Sequence, residues 1–305
     1  CERLMEPVCP QPHRKRRKLQ DRWRYGPRVL PGIFLALLAS VCWAVANILI
    51  QRSGQAIGSV RTLTWAIVAG AIISGGAGLA LGELPQTVEP GTWMVLGIAG
   101  VSGLLGYTGL FYAFEKAALT VTVPIAASWP LLTALIAIVF LNEHPSLSQS
   151  LAAGVVFLGV MVVAVGSTRP ARVHGDESLA PLEPLPQTTS ERTTQTTRRG
   201  PILGAVAAAI GFGVMIPTVG HVAPVFGELT TAAMVYVICI VVGVPLAVAA
   251  RISLAPPPRT VVAAVVAIGL FEACGLASVG LARSFAPMTV VAPLSSLTAA
   301  LTIVY

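Results

Sequence analysis

Nine apolar runs of about twenty residues divide the chain, at 29–50, 60–81, 92–114, 118–141, 148–166, 201–220, 230–250, 260–282 and 286–305. A helix needs about 20 apolar residues to cross the hydrocarbon core of a bilayer. A soluble reading would require nearly every helix to be buried on all sides, which a chain of 305 residues cannot arrange. Most connections are short and turn-rich, such as Glu83-Leu84-Pro85 and Pro256-Pro257-Pro258, so sequential helices are expected to be antiparallel neighbours. One connection differs. Residues 167–200 are polar and rich in Thr, Pro and charge, the composition of a flexible linker. Protease is expected to cut it from one side of the membrane.

The organisation that follows is a basic N-terminal segment (1–28), a first five-helix unit (29–166), the linker (167–200) and a second unit (201–305). The chain stops inside an apolar run, so the second unit reads as truncated within its fourth helix. The segment near Leu30 is too long for a signal-peptide core and lacks a small-residue cleavage site, so it is expected to stay as a helix.

Composition agrees. Apolar residues make up 55% and charged residues 11%, against about 25% charged in soluble domains. The net charge of +7 owes much to Arg14-Lys15-Arg16-Arg17-Lys18, just ahead of the first run. No aromatic residues interleave with it, which argues against nucleic acid and for a topology signal or contact with anionic lipid. Cys1, Cys9, Cys42, Cys239 and Cys274 include no Cys-x-x-Cys pair, so neither a disulfide framework nor a metal site is implied. Buried apolar filler is their expected role. No cofactor is expected.

The division into five and four runs suggests an internal repeat. A gap-free offset of 169 residues pairs Ile33 with Ile202, Thr62 with Thr231, Gly100 with Gly269, Gly106 with Gly275, Thr120 with Thr289, Pro124 with Pro293 and Thr133 with Thr302. The same offset superposes run boundaries. It places Tyr305 opposite Ile136, in mid-helix, so ten helices are expected of the complete plan and about nine in this chain. Five crossings per unit is an odd number, which forces opposite insertion of the two halves. Inverted repeats around a midplane site are a recurring plan of secondary transporters. Lys and Arg divide evenly between the two sides. The dense basic flank of the first helix favours a cytoplasmic N-terminus.

Trp129-Pro130, the run to Phe140-Leu141-Asn142-Glu143, then Gln149 and Gly159, and in the second half Ala292-Pro293-Leu294-Ser295-Ser296-Leu297 carry a resemblance. Over residues 30–305 the chain resembles the drug/metabolite transporter superfamily, and within it the EamA type of ten-helix transporters. Asn142 stands where that family usually has Gly. The resemblance implies a multi-pass protein of the cell (plasma) membrane that moves a small-molecule substrate, by efflux or uptake, driven by an ion gradient or by exchange.

Among residues that could carry chemistry, Glu272 is the sharpest, near the middle of the eighth run. A carboxylate there costs about 2.5–3.5 kcal/mol or more on insertion scales, so it should face protein or a wet cavity. It suits proton coupling or a cationic substrate; the structural alternative is a hydrogen bond to a neighbouring helix. The repeat sets Glu272 opposite Gly103, and Tyr107, four residues on, shares the corresponding helix face. Trp43 and Asn47 are four apart on one face of the first run; they could contact substrate, or serve as an interfacial anchor and an interhelical hydrogen bond. Trp129 could line the pathway. Pro124, Pro130, Pro217 and Pro293 each remove a backbone hydrogen bond and are expected to bend their helices. Glu115, Lys116 and Arg283 are expected to snorkel, and Glu143 to fix its turn. Gly78 and Gly82 form a Gly-xxx-Gly spacing that would suit a homodimer contact.

These readings converge on a secondary active transporter of small metabolites or drugs, working by alternating access at a midplane cavity in the lipid bilayer. Two other classes compete. One is a non-transporting scaffold or a scramblase-like protein. The other is an intramembrane serine protease of the rhomboid type, since Gly100-Val101-Ser102-Gly103 has the nucleophile's form and His221 could act as base. No Gly-x-x-x-x-Gly-Lys loop occurs, which argues against ATP-driven transport by this chain.

Overall fold

The computed structural model describes residues 29–83, 88–140 and 199–304, with scattered helical positions between 147 and 162. The basic N-terminal segment, the linker body, Glu143 and Gln149 lie outside the described residues. The helices are α1 (Leu30–Ile57), α2 (Ser59–Ala80), α3 (Pro90–Lys116), α4 (Leu119–Ala126), α5 (Trp129–Val139), α6 (Arg199–Phe226), α7 (Glu228–Ala249), α8 (Arg259–Ala282), α9 (Met288–Ser295) and α10 (Thr298–Val304). Seven spans among the described residues are long and apolar enough to cross a membrane, with α4 and α5 together forming one. Large apolar side chains point outward all round, among them Phe34, Ile72, Met94, Leu135 and Val241. The interior holds many Ala residues together with Ile50, Leu96, Ile216, Ile268, Leu276 and a few aromatics. An apolar exterior over helices whose backbone groups are satisfied internally is what a bilayer demands. This is an all-helical, multi-pass membrane protein.

The offset of 169 residues governs the backbone as well as the sequence. Helix starts Leu30, Ser59, Pro90, Leu119 and Trp129 correspond to Arg199, Glu228, Arg259, Met288 and Thr298. Gly58 (φ 88°) corresponds to Gly227 (φ 90°), and Gly82 (φ 74°) to Arg251 (φ 56°). Those are all the positive-φ residues among the described ones, and they pair without remainder.

Glycines set the crossings. On α3 and α6, Gly109 meets Gly204 and Ala208, while Gly106 meets Phe212. Between α1 and α8, Gly275 meets Trp43, and Gly32 meets Ala286 just past the end of α8. On α2 and α7, Gly78 meets Thr230 and Gly70 meets Tyr236. In each pair one number falls as the other rises, so the helices run antiparallel. The first helix of each half thus packs against the third of the other, and the two second helices pack together. With α1 and α3 pointing the same way, an antiparallel α6 means the second half is inverted. Gly78 is spent on this internal contact.

Among the described residues, two of the runs are not continuous helices. The fourth breaks at 127–128 and the ninth at 296–297. Pro124 and Pro293 sit just before the breaks. Next to them, the Ser128 hydroxyl donates to Ile125 O (2.8 Å) and the Ser296 hydroxyl to Pro293 O (2.7 Å). Missing donors and competing hydroxyls together end the helix. Pro130 does not bend a helix; it occupies the first turn of α5, where its absent N–H costs nothing. Pro217 lies inside α6, which runs through it. The carbonyl it frees belongs to Gly213, and Thr133 on α5 donates its hydroxyl there (3.2 Å).

Glu115 does not snorkel. Its carboxylate accepts the Ser59 N–H (2.7 Å) and so caps α2, with Lys116 beside it at 2.5 Å. Glu83 caps α7 across the repeat boundary, accepting the N–H groups of Leu229 (3.0 Å) and Thr230 (2.9 Å). At the other end of the α2/α7 pair, the Arg61 guanidinium donates to Ala255 O (2.6 Å) and Pro256 O. Carboxylates complement the positive end of a helix. Glu83→Ala is therefore expected to destabilise the fold by about 1–2 kcal/mol, read as a lower melting temperature in detergent; an unchanged melt would contradict the cap. Cys42 and Cys239 are buried as expected, whereas Cys274 is exposed.

Candidate functional site

Glu272 sits mid-way along α8 and is 7% exposed. Gly269 and Gly275, a turn to either side, let neighbours close on it. At Gly269 the backbone of α2 approaches so closely that an added Cβ would lie 2.5 Å from Ala66 O. At Gly275 the Trp43 indole takes the place a side chain would fill, with Nε1 2.5 Å from such a Cβ. The two approaches hold α8 against α2 and α1, and Glu272 faces the cavity between the halves.

There it meets the other half. The Tyr107 hydroxyl, from α3, donates to Glu272 Oε2 (3.2 Å). Tyr107 is 1% exposed. Its ring stands edge-on to Phe212 at 5.1 Å, and Tyr236 lies behind it at 6.1 Å. Trp129, the first residue of α5, stands edge-on to Trp43 with centroids 6.2 Å apart. Asn47 donates from Nδ2 to Thr302 Oγ1 (3.2 Å), and Thr302 donates in turn to Thr298 O (2.7 Å). Because the Thr302 proton is committed, its oxygen must accept, which fixes the amide's orientation.

Glu272, Tyr107, Asn47, Trp43 and Trp129 thus line one cavity of about 70 Å³ between the two halves. Both helix breaks reach it, through Ala127 on one side and Ser296 and Thr298 on the other. Broken helices at a central cavity are the arrangement in which transporters place substrate and ion sites. Drug-sized ligands fill pockets of about 300–1,000 Å³, so a large solute would require the halves to part. Pro124, Pro217 and Pro293 lie off the lining; they shape the helices that carry it.

Sequence reasoning missed three participants. Phe212 was within reach of the offset: it is the repeat equivalent of Trp43 and lies over Gly106 as Trp43 lies over Gly275. The offset pairs Thr302 with Thr133 but does not point to a bond with Asn47. Tyr236 stands alone among aliphatic neighbours on α7, which is the local signal for it.

Ser102 and His221 are not brought together. The Ser102 hydroxyl donates to Ile98 O (2.6 Å) in its own helix, and Ser102 O lies against Gly211. His221 is ten residues further along α6, about 15 Å at 1.5 Å per residue. The serine and its base have no contact, and the protease reading loses its geometry.

Residues 30–165 match the model of the EamA-like transporter family. Ten chains of solved structures match the fold. One of them, described only as the crystal structure of a protein, is 19% identical with a TM-score of 0.64, over 90% of this chain and 85% of its own. At that identity the likeness speaks for the fold alone. No curated protein matches this chain.

Proposed function

We propose, from the match of residues 30–165 to the EamA-like transporter family model, that the chain is a secondary active transporter that moves a small metabolite or drug by alternating access at the cavity between its halves. The observation that carries this reading is the buried Glu272–Tyr107 pair at the mid-membrane seam, one residue from each half. A contact that bridges the seam must change when the halves rock. Substrate or proton arriving at Glu272 competes with Tyr107 for the carboxylate, which couples occupancy to the closure of the seam. In this reading residues 29–166 and 201–305 are the two bodies that move against each other.

The test is solute uptake by proteoliposomes containing the chain, with and without a pH gradient, across amino acids, nucleosides, polyamines and cationic drugs. Saturable uptake above empty vesicles is the expected result. Absence of uptake and of exchange for every solute would favour a scaffold or scramblase. Tyr107→Phe keeps the ring packing and deletes only the hydroxyl. It is expected to slow uptake roughly tenfold, the scale of one hydrogen bond to a charged group, with little change in melting temperature. Full uptake by that variant would remove the seam pair from the mechanism.

A further inference from the structure

The cavity's lining has a chemical bias that transport by itself does not require. Among the described residues, Glu272 is its lone ionisable carboxylate, and no Lys, Arg or His lines it. Five of its sixteen lining residues are aromatic (Trp43, Tyr107, Phe114, Trp129 and Phe212), in a chain where aromatics make up 6%. Asn47 Nδ2 is already used on Thr302, so the amide has its carbonyl oxygen to offer as an acceptor. The Trp43 N–H is buried without a bonded acceptor.

We propose that this cavity is an organic-cation site: it takes a small monocationic amine or quaternary ammonium, with Glu272 as counter-ion and the edges and faces of Trp43, Trp129, Tyr107 and Phe212 as its walls. The inference rests on the transport reading above and adds the substrate class to it. An ammonium is attracted to aromatic faces and to a carboxylate together. A solute anion would face Glu272 with no basic side chain to offset it. A neutral polar solute would find an aromatic wall and few donors. The acceptors left over, the Glu272 carboxylate and the Asn47 carbonyl, match the N–H groups of a primary or secondary amine. The π-walls alone serve a quaternary one.

The experiment is calorimetric titration of the purified chain in lipid nanodiscs with two cations, choline and benzylammonium. Each is compared with an uncharged near-isostere, 3,3-dimethyl-1-butanol and benzyl alcohol. The cations are expected to bind saturably and at least roughly tenfold more tightly than the alcohols, since the pair differs by one charge at a buried counter-ion. Glu272→Gln is expected to erase that difference and leave the alcohols unchanged. The comparison on the unaltered chain stands even where the variant fails to fold. Equal binding of cations and alcohols, no saturable binding of either cation, or full cation affinity in Glu272→Gln would each overturn the inference. The two readings fail separately. Uptake of some other solute without cation binding would sink the cation site and leave the transporter. Cation binding without uptake or exchange of the bound cation would do the reverse.

Discussion

Replacing Glu272 with Gln is expected to bring gradient-driven uptake down to the level of empty vesicles, while the protein still inserts and folds. Gln has the shape of Glu, and the Tyr107 hydroxyl can donate to its carbonyl oxygen as it does to Glu272 Oε2. Gly269 and Gly275 are untouched, so α8 still packs against α2 and Trp43. Exchanging a buried carboxyl for its amide isostere keeps that hydrogen bond, so the cost in folding is small. What Gln lacks is a charge and the ability to carry a proton at the seam. A gradient can drive transport only through a group whose state it changes. Uptake down a solute gradient, and exchange of labelled for unlabelled solute, are expected to survive in part; that separates lost coupling from lost folding. The measurement is initial uptake with and without a pH gradient, with the melting temperature of both proteins alongside. Unchanged gradient-driven uptake in Glu272→Gln would remove the residue from coupling.

Much of this architecture can be read from the chain, for a physical reason. A bilayer enforces length and hydropathy on each crossing, so the spans announce themselves. A duplicated sequence repeats its backbone, so one offset anticipates the pairing of Gly58 with Gly227 and of the helix starts. A carboxylate in an apolar run is costly enough to be conspicuous, and the helix face opposite Glu272 in the repeat leads to Tyr107, which does meet it. Other features are hidden because their partners are remote in sequence. The caps by Glu83 and Glu115 depend on amides 146 and 56 residues away. Nothing local distinguishes such a carboxylate from one that reaches for water. The breaks at 127–128 and 296–297 are masked by apolar composition: hydropathy is blind to a serine hydroxyl that takes its own helix's carbonyl. The Pro130 misreading has the same origin, since a proline bends a helix or begins one according to where the previous helix has stopped.

The largest expected effect on folding comes from Gly211→Val. A Cβ at Gly211 would lie 2.3 Å from Gly106 N, 2.5 Å from Gly106 Cα and 2.6 Å from Ser102 O. All three are backbone atoms, so no side chain can swing aside to make room. Overpacking ordinarily costs about 1–3 kcal/mol when neighbours can shift; here the whole α3/α6 crossing would have to move apart. Tyr107, one residue from Gly106, would move with it and lose Glu272. The repeat equivalent of Gly211 is Cys42, a buried residue of α1 that has a side chain where Gly211 has none. The two seams are therefore unequal, and the one that Gly211 closes holds the Tyr107 side of the site in place. Gly211→Val is expected to lose the monodisperse peak in size-exclusion chromatography, and Gly211→Ala to melt well below the unaltered chain. Gly76 supplies the control: it too lies inside a helix, but nothing stands within 4 Å of its added Cβ. Gly76→Ala should be neutral or stabilising by up to about 1 kcal/mol, because alanine gives up less backbone freedom on entering a helix. Equal tolerance of Ala at both positions would mean that α3 and α6 do not meet at Gly211, and the placement of Tyr107 against Glu272 would lose its support.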